Sequence, residues 1–279
     1  MKIGLVQMKC GKRPNDNVAQ ALQRIKKLAK LGAEIVCLPE LFRTQYFCQT
    51  KDNRFFALAE DLSQSPAVKA LRECAKNSNV AIVASLYEKT SQKKYYNTAL
   101  VINKQGSVIS KYRKMHIPAD LKNHYGESYY FEKGNLGFQS FTVNDVKMGV
   151  LVCWDQWFPE AARMVAQRGA KIIFYSTAIG FQVKDRYGVN AAEYEAWQTI
   201  QKSHSIANNV FVATANRTGT EKYLRFWGTS FVSNPYGHII AKAPMHQECD
   251  LLVDCDLSLV RQMRRDWPFL QNRRVKYAQ

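Results

Sequence analysis

Apolar residues along the chain follow two alternating periodicities, one typical of strands and the other of helices. Residues 3–8 are predicted to form a first strand and residues 15–31 a helix. Within that helix the apolar side chains recur mainly at intervals of three or four and so form one stripe; they are Val18, Leu22, Ile25, Leu28 and Ala29. Gly32 is expected to cap the helix, and residues 34–38 read as a buried strand. The segment therefore predicts a strand–helix–strand unit.

The same alternation continues to the end of the chain. Ser65-Pro66 opens a helix that runs to about residue 77. Strands at residues 96–103 and 108–112 are predicted to form a hairpin around Lys104-Gln105-Gly106. The remaining predicted helices cover residues 159–168, residues 190–207 and a short segment from 257, and the remaining predicted strands cover residues 80–87, 147–152, 171–176, 210–215, 229–233, 238–241 and 251–255.

Two segments of this pattern resemble each other. Each contains a helix end, a glycine and a strand entry; they are Leu28-Ala29-Lys30-Leu31-Gly32-Ala33-Glu34-Ile35-Val36 and Val165-Ala166-Gln167-Arg168-Gly169-Ala170-Lys171-Ile172-Ile173. A polar group follows at the carboxyl end of each strand: Glu40 in the first segment and Ser176-Thr177 in the second. Two similar halves predict two sheets packed together with helices outside. Since no linker divides the chain, residues 1–279 are expected to form a single α/β domain.

Composition narrows the possible function classes. The chain of 279 residues has a formal net charge of +17, but its basic residues are spread along the sequence. No RNP-like aromatic motif or zinc finger accompanies them, so a solvated basic surface is favoured over a nucleic-acid binder. The first residues turn polar too early for a signal peptide, and no apolar run approaches the ~18 residues of a membrane span. We therefore expect a cytoplasmic protein with no membrane partner.

Local spacing of cysteine and histidine encodes no metal site. The seven cysteines include no Cys-x-x-Cys pair, and the five histidines no His-x-x-x-His pair. In a reducing cytosol the cysteines should be free thiols. A metal site could still assemble from distant residues, but no local pattern in the sequence predicts one.

Three polar side chains follow predicted strands at their carboxyl ends. They are Glu40, which lies between apolar residues, Lys114, which precedes a loop, and Cys153. Each alone has an ordinary explanation, as a helix cap, a surface lysine or a packed thiol. Strand ends of an α/β sheet meet at one edge, however, where such folds hold ligands. A base, a cation and a thiol at one edge could together carry nucleophilic catalysis.

Three separated motifs contain these residues in an informative order. They are Leu38-Pro39-Glu40-Leu41-Phe42, Tyr112-Arg113-Lys114-Met115-His116-Ile117-Pro118 and Val152-Cys153-Trp154-Asp155-Gln156-Trp157-Phe158-Pro159-Glu160. Their order and spacing resemble the carbon–nitrogen hydrolase (nitrilase) superfamily, and the resemblance covers nearly the whole chain. Within that superfamily, the third motif together with Ser176-Thr177-Ala178-Ile179-Gly180 looks most like the members that hydrolyse N-carbamoylputrescine.

The resemblance implies a four-layer αββα sandwich and a Glu-Lys-Cys catalytic set that uses no metal or cofactor. Glu40 would be the general base, Lys114 the oxyanion stabiliser and Cys153 the nucleophile that attacks a carbamoyl or amide carbon. Glu127 matches a further glutamate that family members often carry in the loop after the lysine. The resemblance also implies a homo-oligomer with a small-molecule substrate, in which the tail from about residue 257 contacts a partner subunit.

Substrate-binding residues follow less directly from the motifs. Trp154, Asp155, Thr177 and Ala178 are expected to border the substrate. A cationic amine would need local negative charge, because the overall charge of +17 opposes it. Asp155 and Asp185 are the favoured partners among the acidic residues expected near the mouth of the site, which are Asp155, Glu160, Asp185, Glu193 and Glu195.

Several alternatives stay open at this point. Asp155 could instead cap the helix that begins near Phe158, and Arg186 could serve a substrate carboxylate. The loop at residues 119–126 is about two residues longer than in the relatives considered, which bears on substrate identity more than on catalysis. Other possible functions are hydrolysis of another linear amide or N-carbamoyl amino acid, metal-dependent hydrolysis, and nucleic-acid binding without activity.

Overall fold

The first sheet of the protein contains six strands. The computed structural model describes residues 1–184 and 188–274, and its helices and strands are numbered in chain order. The strands of this sheet are β1 (Lys2–Gln7), β2 (Ile35–Cys37), β3 (Ala81–Lys89), β4 (Tyr95–Ile102), β5 (Val108–Arg113) and β15 (Cys249–Asp254). They lie in the order β15-β1-β2-β3-β4-β5. The central strands β1, β2 and β3 are parallel, and the outer pairings are antiparallel.

The second sheet repeats this plan with the other half of the chain. Its strands are β6 (Ser140–Val143), β7 (Val146–Val152), β8 (Ile172–Thr177), β10 (Phe211–Asn216), β13 (Phe231–Ser233) and β14 (Ile239–Lys242), in the order β14-β13-β10-β8-β7-β6. Again the central strands β7, β8 and β10 are parallel. A small antiparallel sheet joins β11 (Thr218–Glu221), β12 (Leu224–Trp227) and β9 (Gly180–Gln182).

The described chain has five α-helices, of which the first four cover the outer faces of the two large sheets. They are α1 (Pro14–Lys30), α2 (Pro66–Ser78), α3 (Pro159–Gln167), α4 (Val189–Asn208) and α5 (Leu257–Asp266). Helices α1 and α2 pack on the first sheet and α3 and α4 on the second, while the inner faces of the sheets meet in an apolar core. This is the predicted αββα sandwich. None of the described helices is both long and apolar enough to cross a membrane.

Local signals place the helix starts where the sequence predicts them. The Ser65 hydroxyl accepts a hydrogen bond from the Val68 N–H at 3.2 Å, which satisfies one of the free donors of the first turn of α2. Pro66 and Pro159 occupy the first position of α2 and α3, where the missing N–H costs nothing. Predicted helix and strand ends differ from the observed ones mostly by one or two residues.

The internal similarity of the sequence corresponds to equivalent parts of the two sheets. Gly32 joins α1 to β2 with a φ of 95°, and Gly169 joins α3 to β8 with a φ of 94°. This left-handed conformation favours glycine, which has no Cβ to clash. Beyond the ends of β2 and β8, the backbone N–H of Glu40 donates to the carbonyl of Thr177 at 3.3 Å. The two halves therefore meet at the edge where the candidate residues lie.

Several short strands are absent from the sequence prediction. Strands β6, β9, β11 and β12 contain three or four residues each, too few for a periodicity to appear, and pairing across the fold defines them. The strand predicted from residue 229 begins at Phe231, because Gly228 and Thr229 have positive φ values of 72° and 50° and cannot continue a strand.

Gly149 provides a test of the packing beneath Cys153. A Cβ at this position would overlap the Cγ1 of Val165, where α3 crosses β7. We expect Gly149→Ala to lower the free energy of unfolding by about 1–3 kcal/mol in chemical denaturation, because neither sheet nor helix can yield without strain. Gly11→Ala is the control, since its new Cβ would lie 3.5 Å from the nearest atom, Asn17 Oδ1. Combining Gly149→Ala with Val165→Ala should cost less than the sum of the single changes; strict additivity would contradict this account.

Candidate active site

Glu40 lies just beyond β2, completely buried at the edge of the first sheet. Its Oε1 accepts hydrogen bonds from Asn97 Nδ2 at 2.7 Å and from Lys114 Nζ at 2.8 Å. Its Oε2 has no hydrogen-bond partner among the described residues. The next residue, Leu41, has a strained φ of 48°, and its N–H donates to Ser85 Oγ at 3.1 Å. One carboxylate oxygen is thus fixed and the other is available to a ligand.

Lys114 lies just after β5, buried between two carboxylates. Besides Glu40, its Nζ donates to Glu127 Oε1 at 2.8 Å and to Glu127 Oε2 at 2.7 Å. Burial alone would lower the pKa of Lys114, but the charges of Glu127 and Glu40 outweigh burial and raise it. The side chain is therefore a buried ammonium group whose three donors are all used.

Glu127 starts a short 3-10 turn, Glu127–Tyr129, that follows the loop after Lys114. Its Oε1 also accepts a hydrogen bond from the Tyr46 hydroxyl at 2.7 Å. Burial raises the pKa of Glu127 and outweighs the opposing effect of Lys114, while Glu40 adds to the rise. The sequence prediction that Glu127 joins the other residues thus corresponds to a direct contact with Lys114.

Cys153 begins the 3-10 turn Cys153–Trp157 directly after β7, with a strained φ of 39°. Burial raises the pKa of its thiol well above the ordinary value, and Glu40 adds to the rise, whereas Lys114 and a hydrogen bond from the Ala178 backbone N–H lower it. Glu40 and Lys114 are therefore close enough to influence Cys153 electrostatically. The raised pKa favours the thiol over the thiolate, and the thiolate is the reactive form of a cysteine.

Of the other residues predicted to contact the substrate, some lie beside Cys153 and others do not. Trp154 is half-buried beside Cys153, and the Ala178 N–H faces the Cys153 sulfur. Thr177 is buried, with its hydroxyl donating to the Ala215 carbonyl at 3.2 Å, so this side chain supports β8 rather than facing a ligand. Asp185, like Arg186, lies outside the described residues.

Asp155 requires a correction. Its buried carboxylate accepts hydrogen bonds from the Val152 N–H at 3.0 Å, the Tyr112 hydroxyl at 2.7 Å and the His116 N–H at 3.1 Å. The His116 ring adds a contact at 2.7 Å. These partners occupy both oxygens, so Asp155 holds the turn after β7 and offers no free charge to a substrate. Nor does it cap α3, whose N-cap residue, Phe158, makes no side-chain cap bond.

A different pair of carboxylates, Glu193 and Asp120, lies near Tyr125. Tyr125 lies in the loop at residues 119–126, and burial together with the charges of Glu193, Cys153 and Glu40 raises the pKa of its hydroxyl. Glu193, on α4, has a pKa raised to about 7 by burial and by Asp120, whose backbone pairs with that of Tyr125. Tyr125 is therefore within electrostatic reach both of Glu193 and of the catalytic candidates Cys153 and Glu40.

Sequence reasoning missed several buried residues around the site. Asn97 is a polar residue inside the otherwise largely apolar β4, and that mismatch was the available signal. Tyr46 and Arg217 lie in loops whose role depends on contacts between distant segments, so no local pattern marks them. Among the described residues, no group of three or more His, Cys, Asp or Glu side chains is arranged to hold a metal ion.

Comparisons with known proteins show the family of the chain. The chain matches the carbon-nitrogen hydrolase family over residues 2–265. It is 34% identical over 280 residues to the N-carbamoylputrescine amidase of Arabidopsis thaliana, covering 98% of this chain and 92% of that protein. It is also 34% identical over 281 residues to the citrullinase of Francisella tularensis subsp. tularensis, covering 98% and 95%.

A solved structure supports the same assignment. The crystal structure of a carbon-nitrogen hydrolase from Helicobacter pylori G27 superimposes with a TM-score of 0.93 at 36% identity, covering 98% of this chain and 95% of that chain. The fold and the family match thus agree along nearly the whole sequence. The chain belongs to the carbon–nitrogen hydrolase family and is a hydrolase that acts on carbon–nitrogen bonds of amides.

Proposed function

We propose that this protein hydrolyses N-carbamoylputrescine to putrescine, ammonia and carbon dioxide, a step of polyamine synthesis, through the Glu-Lys-Cys set formed by Glu40, Lys114 and Cys153. The observation that carries the proposed reaction is the convergence of these three strand-end residues, with the unpaired Oε2 of Glu40 available near a buried thiol. The similarity to N-carbamoylputrescine amidases supports the choice of substrate.

In the first half of the reaction, Glu40 takes the thiol proton of Cys153 and the thiolate attacks the ureido carbonyl carbon. The developing oxyanion faces backbone N–H groups, of which that of Trp154 is one candidate, and the positive charge of Lys114. Because the three donors of Lys114 are directed at carboxylates, its contribution to the oxyanion is electrostatic. The protonated Glu40 then gives its proton to the departing amine, and ammonia leaves a carbamoyl thioester on Cys153.

In the second half, Glu40 acts again as a base. It takes a proton from water, and the resulting hydroxide attacks the carbamoyl thioester. The carbon–sulfur bond breaks and Cys153 recovers a proton, while the released carbamic acid loses carbon dioxide to give putrescine. Glu127 contacts no reacting atom in this scheme; it holds Lys114 with two hydrogen bonds.

The Glu193–Asp120 pair supports a cationic substrate. Glu193 is half-buried, and no hydrogen bond or ion pair to another residue of the described chain neutralises it. A desolvated carboxylate gains most from a cation, such as the distal ammonium of N-carbamoylputrescine. The same charge would accept the α-ammonium group of citrulline, the substrate in the name of one relative, and would repel the carboxylate of N-carbamoyl-β-alanine.

The role of Cys153 can be tested by removing its sulfur. We expect Cys153→Ala to lower hydrolysis of N-carbamoylputrescine by about 10⁴-fold or more, because no other group can form the thioester. Iodoacetamide should alkylate Cys153 and abolish activity in parallel, as followed by peptide mass spectrometry. Cys249→Ala, which removes a partly exposed thiol of β15, should keep full activity. Substantial hydrolysis by the Cys153→Ala protein would rule out the proposed mechanism.

The role of Glu193 can be tested by comparing two substrates that differ only in the distal amine. Glu193→Gln should lower kcat/KM for N-carbamoylputrescine by about 10- to 100-fold, the value of a charge-assisted hydrogen bond, and leave kcat/KM for butylurea unchanged. Glu195→Gln is the matched control, since Glu195 is exposed on the same helix. Equal losses on both substrates would contradict cation recognition, as would faster turnover of N-carbamoyl-β-alanine.

The preference for N-carbamoylputrescine over butylurea should depend on pH. With its pKa raised to about 7, Glu193 is neutral below that pH and charged above it. The ratio of kcat/KM for N-carbamoylputrescine to that for butylurea should therefore rise between about pH 6 and pH 8 and level off, because the substrate amine stays charged throughout. Ionisations of the catalytic groups affect both substrates and cancel in the ratio. In Glu193→Gln the ratio should be flat.

We also propose that the protein is a cytoplasmic homo-oligomer that contacts its partner through the segment from about residue 257. Trp267 and Phe269 remain 44% and 41% exposed after α5, and Trp267 packs edge-on against Tyr236 at 5.7 Å. Exposed aromatic side chains of this size favour an interface. Light scattering should give a multiple of the 32.0 kDa chain mass, and Trp267→Ala with Phe269→Ala should lower it; a monomer at micromolar concentration would contradict the proposal.

A further inference from the structure

Arg217 is a completely buried arginine located between β10 and β11, and it contacts the backbone of Glu40 rather than its carboxylate. Its Nη2 donates to the carbonyl of Glu40 at 2.6 Å and to that of Leu41 at 3.0 Å. Its Nη1 donates to the Thr44 carbonyl at 3.2 Å and to Glu221 Oε1 at 2.9 Å. A buried charge needs such partners, and three of the four belong to the single loop that carries Glu40.

This loop is strained where Arg217 holds it. Leu41 has a φ of 48°, which a leucine adopts only when its surroundings enforce it. The Leu41 N–H is held by Ser85 Oγ at 3.1 Å, and its carbonyl is held by Arg217. The backbone of Glu40 is likewise held on both sides, with its N–H bonded to the Thr177 carbonyl at 3.3 Å and its carbonyl to Arg217.

The contacts of Arg217 close a ring around the site. Glu221, which balances its charge, accepts a hydrogen bond from the Tyr46 N–H at 2.5 Å through Oε2. The Tyr46 hydroxyl bonds Glu127, which bonds Lys114, which bonds Glu40. Each side chain of this ring is buried, so a shift at one contact cannot be absorbed by water.

We propose that Arg217, with Glu221, is a positioning residue that fixes the backbone at Glu40 and so directs the free carboxylate oxygen towards Cys153. This inference rests on the proposed function, in which Glu40 is the base. Arginine is suited to the role because its planar fork reaches several carbonyls at once, whereas lysine carries one compact charge. The guanidinium also lies 5.2 Å from the Phe226 ring, which helps fix its plane.

The test compares Arg217→Lys with Arg43→Lys. Arg43 is a matched control because it also donates to a loop carbonyl, that of Leu58, and pairs with a glutamate, Glu60, without contacting the backbone of Glu40. We expect Arg217→Lys to lower kcat by about 10²-fold, the usual effect of displacing a catalytic group by about an ångström. KM should change by less than about threefold, because Arg217 does not touch the substrate. Glu221→Gln keeps the guanidinium of Arg217 but removes the negative charge that balances it, and this change should give a smaller loss of kcat.

Dividing each rate by the fraction of correctly folded molecules separates an effect on the position of Glu40 from an effect on folding. Rates are divided by the fraction of molecules in which iodoacetamide alkylates Cys153, and the pH profile of kcat is measured for each variant. If Arg217 positions Glu40, the Arg217→Lys protein should have a lower kcat per alkylatable molecule. The acidic limb of its pH profile of kcat should also be displaced. Rates per alkylatable molecule that equal those of Arg43→Lys would overturn the inference while the proposed function stands. Full activity of Cys153→Ala would overturn both.

Discussion

The buried ammonium of Lys114, held between Glu40 and Glu127, is the interaction on which the site depends. Burying three charged groups carries a large desolvation cost, which only close pairing and complete hydrogen bonding can offset. Here the three donors of Lys114 meet carboxylate oxygens at 2.7–2.8 Å. Two carboxylates and one ammonium leave excess negative charge close to Cys153, which together with burial opposes ionisation of the thiol.

That arrangement needs the two halves of the fold to meet. Glu40 follows β2 and Lys114 follows β5 in the first sheet, whereas Cys153 follows β7 in the second. Packing of the two sheets brings these ends together, and strained backbone at Leu41 and Cys153, with φ values of 48° and 39°, turns the chain at each side. Such strain is stable only because the surrounding contacts fix it.

The proposal of a cationic substrate depends on local charge rather than on the charge of the whole chain. The net charge of +17 should repel a cation at long range, but exposed charges are screened over about 8 Å at physiological salt. A half-buried carboxylate such as Glu193 is screened much less and acts at contact distance. The proposed recognition of a cation by Glu193 is therefore compatible with the basic surface of the chain.

The sequence by itself determined the αββα architecture and three separated motifs, because helical stripes, glycine caps and strand ends are local patterns. It also marked Glu40, Lys114 and Cys153 as strand-end candidates, whereas Glu127 followed only from the resemblance to the family. Only the tertiary structure decided that the Asp155 carboxylate is hydrogen-bonded to Val152, Tyr112 and His116. It also decided that Arg217 donates a hydrogen bond to the backbone of the loop that carries Glu40. The physical reason is that a polar residue's role depends on which distant partners satisfy its hydrogen bonds, and the packing of the sheets sets those partners.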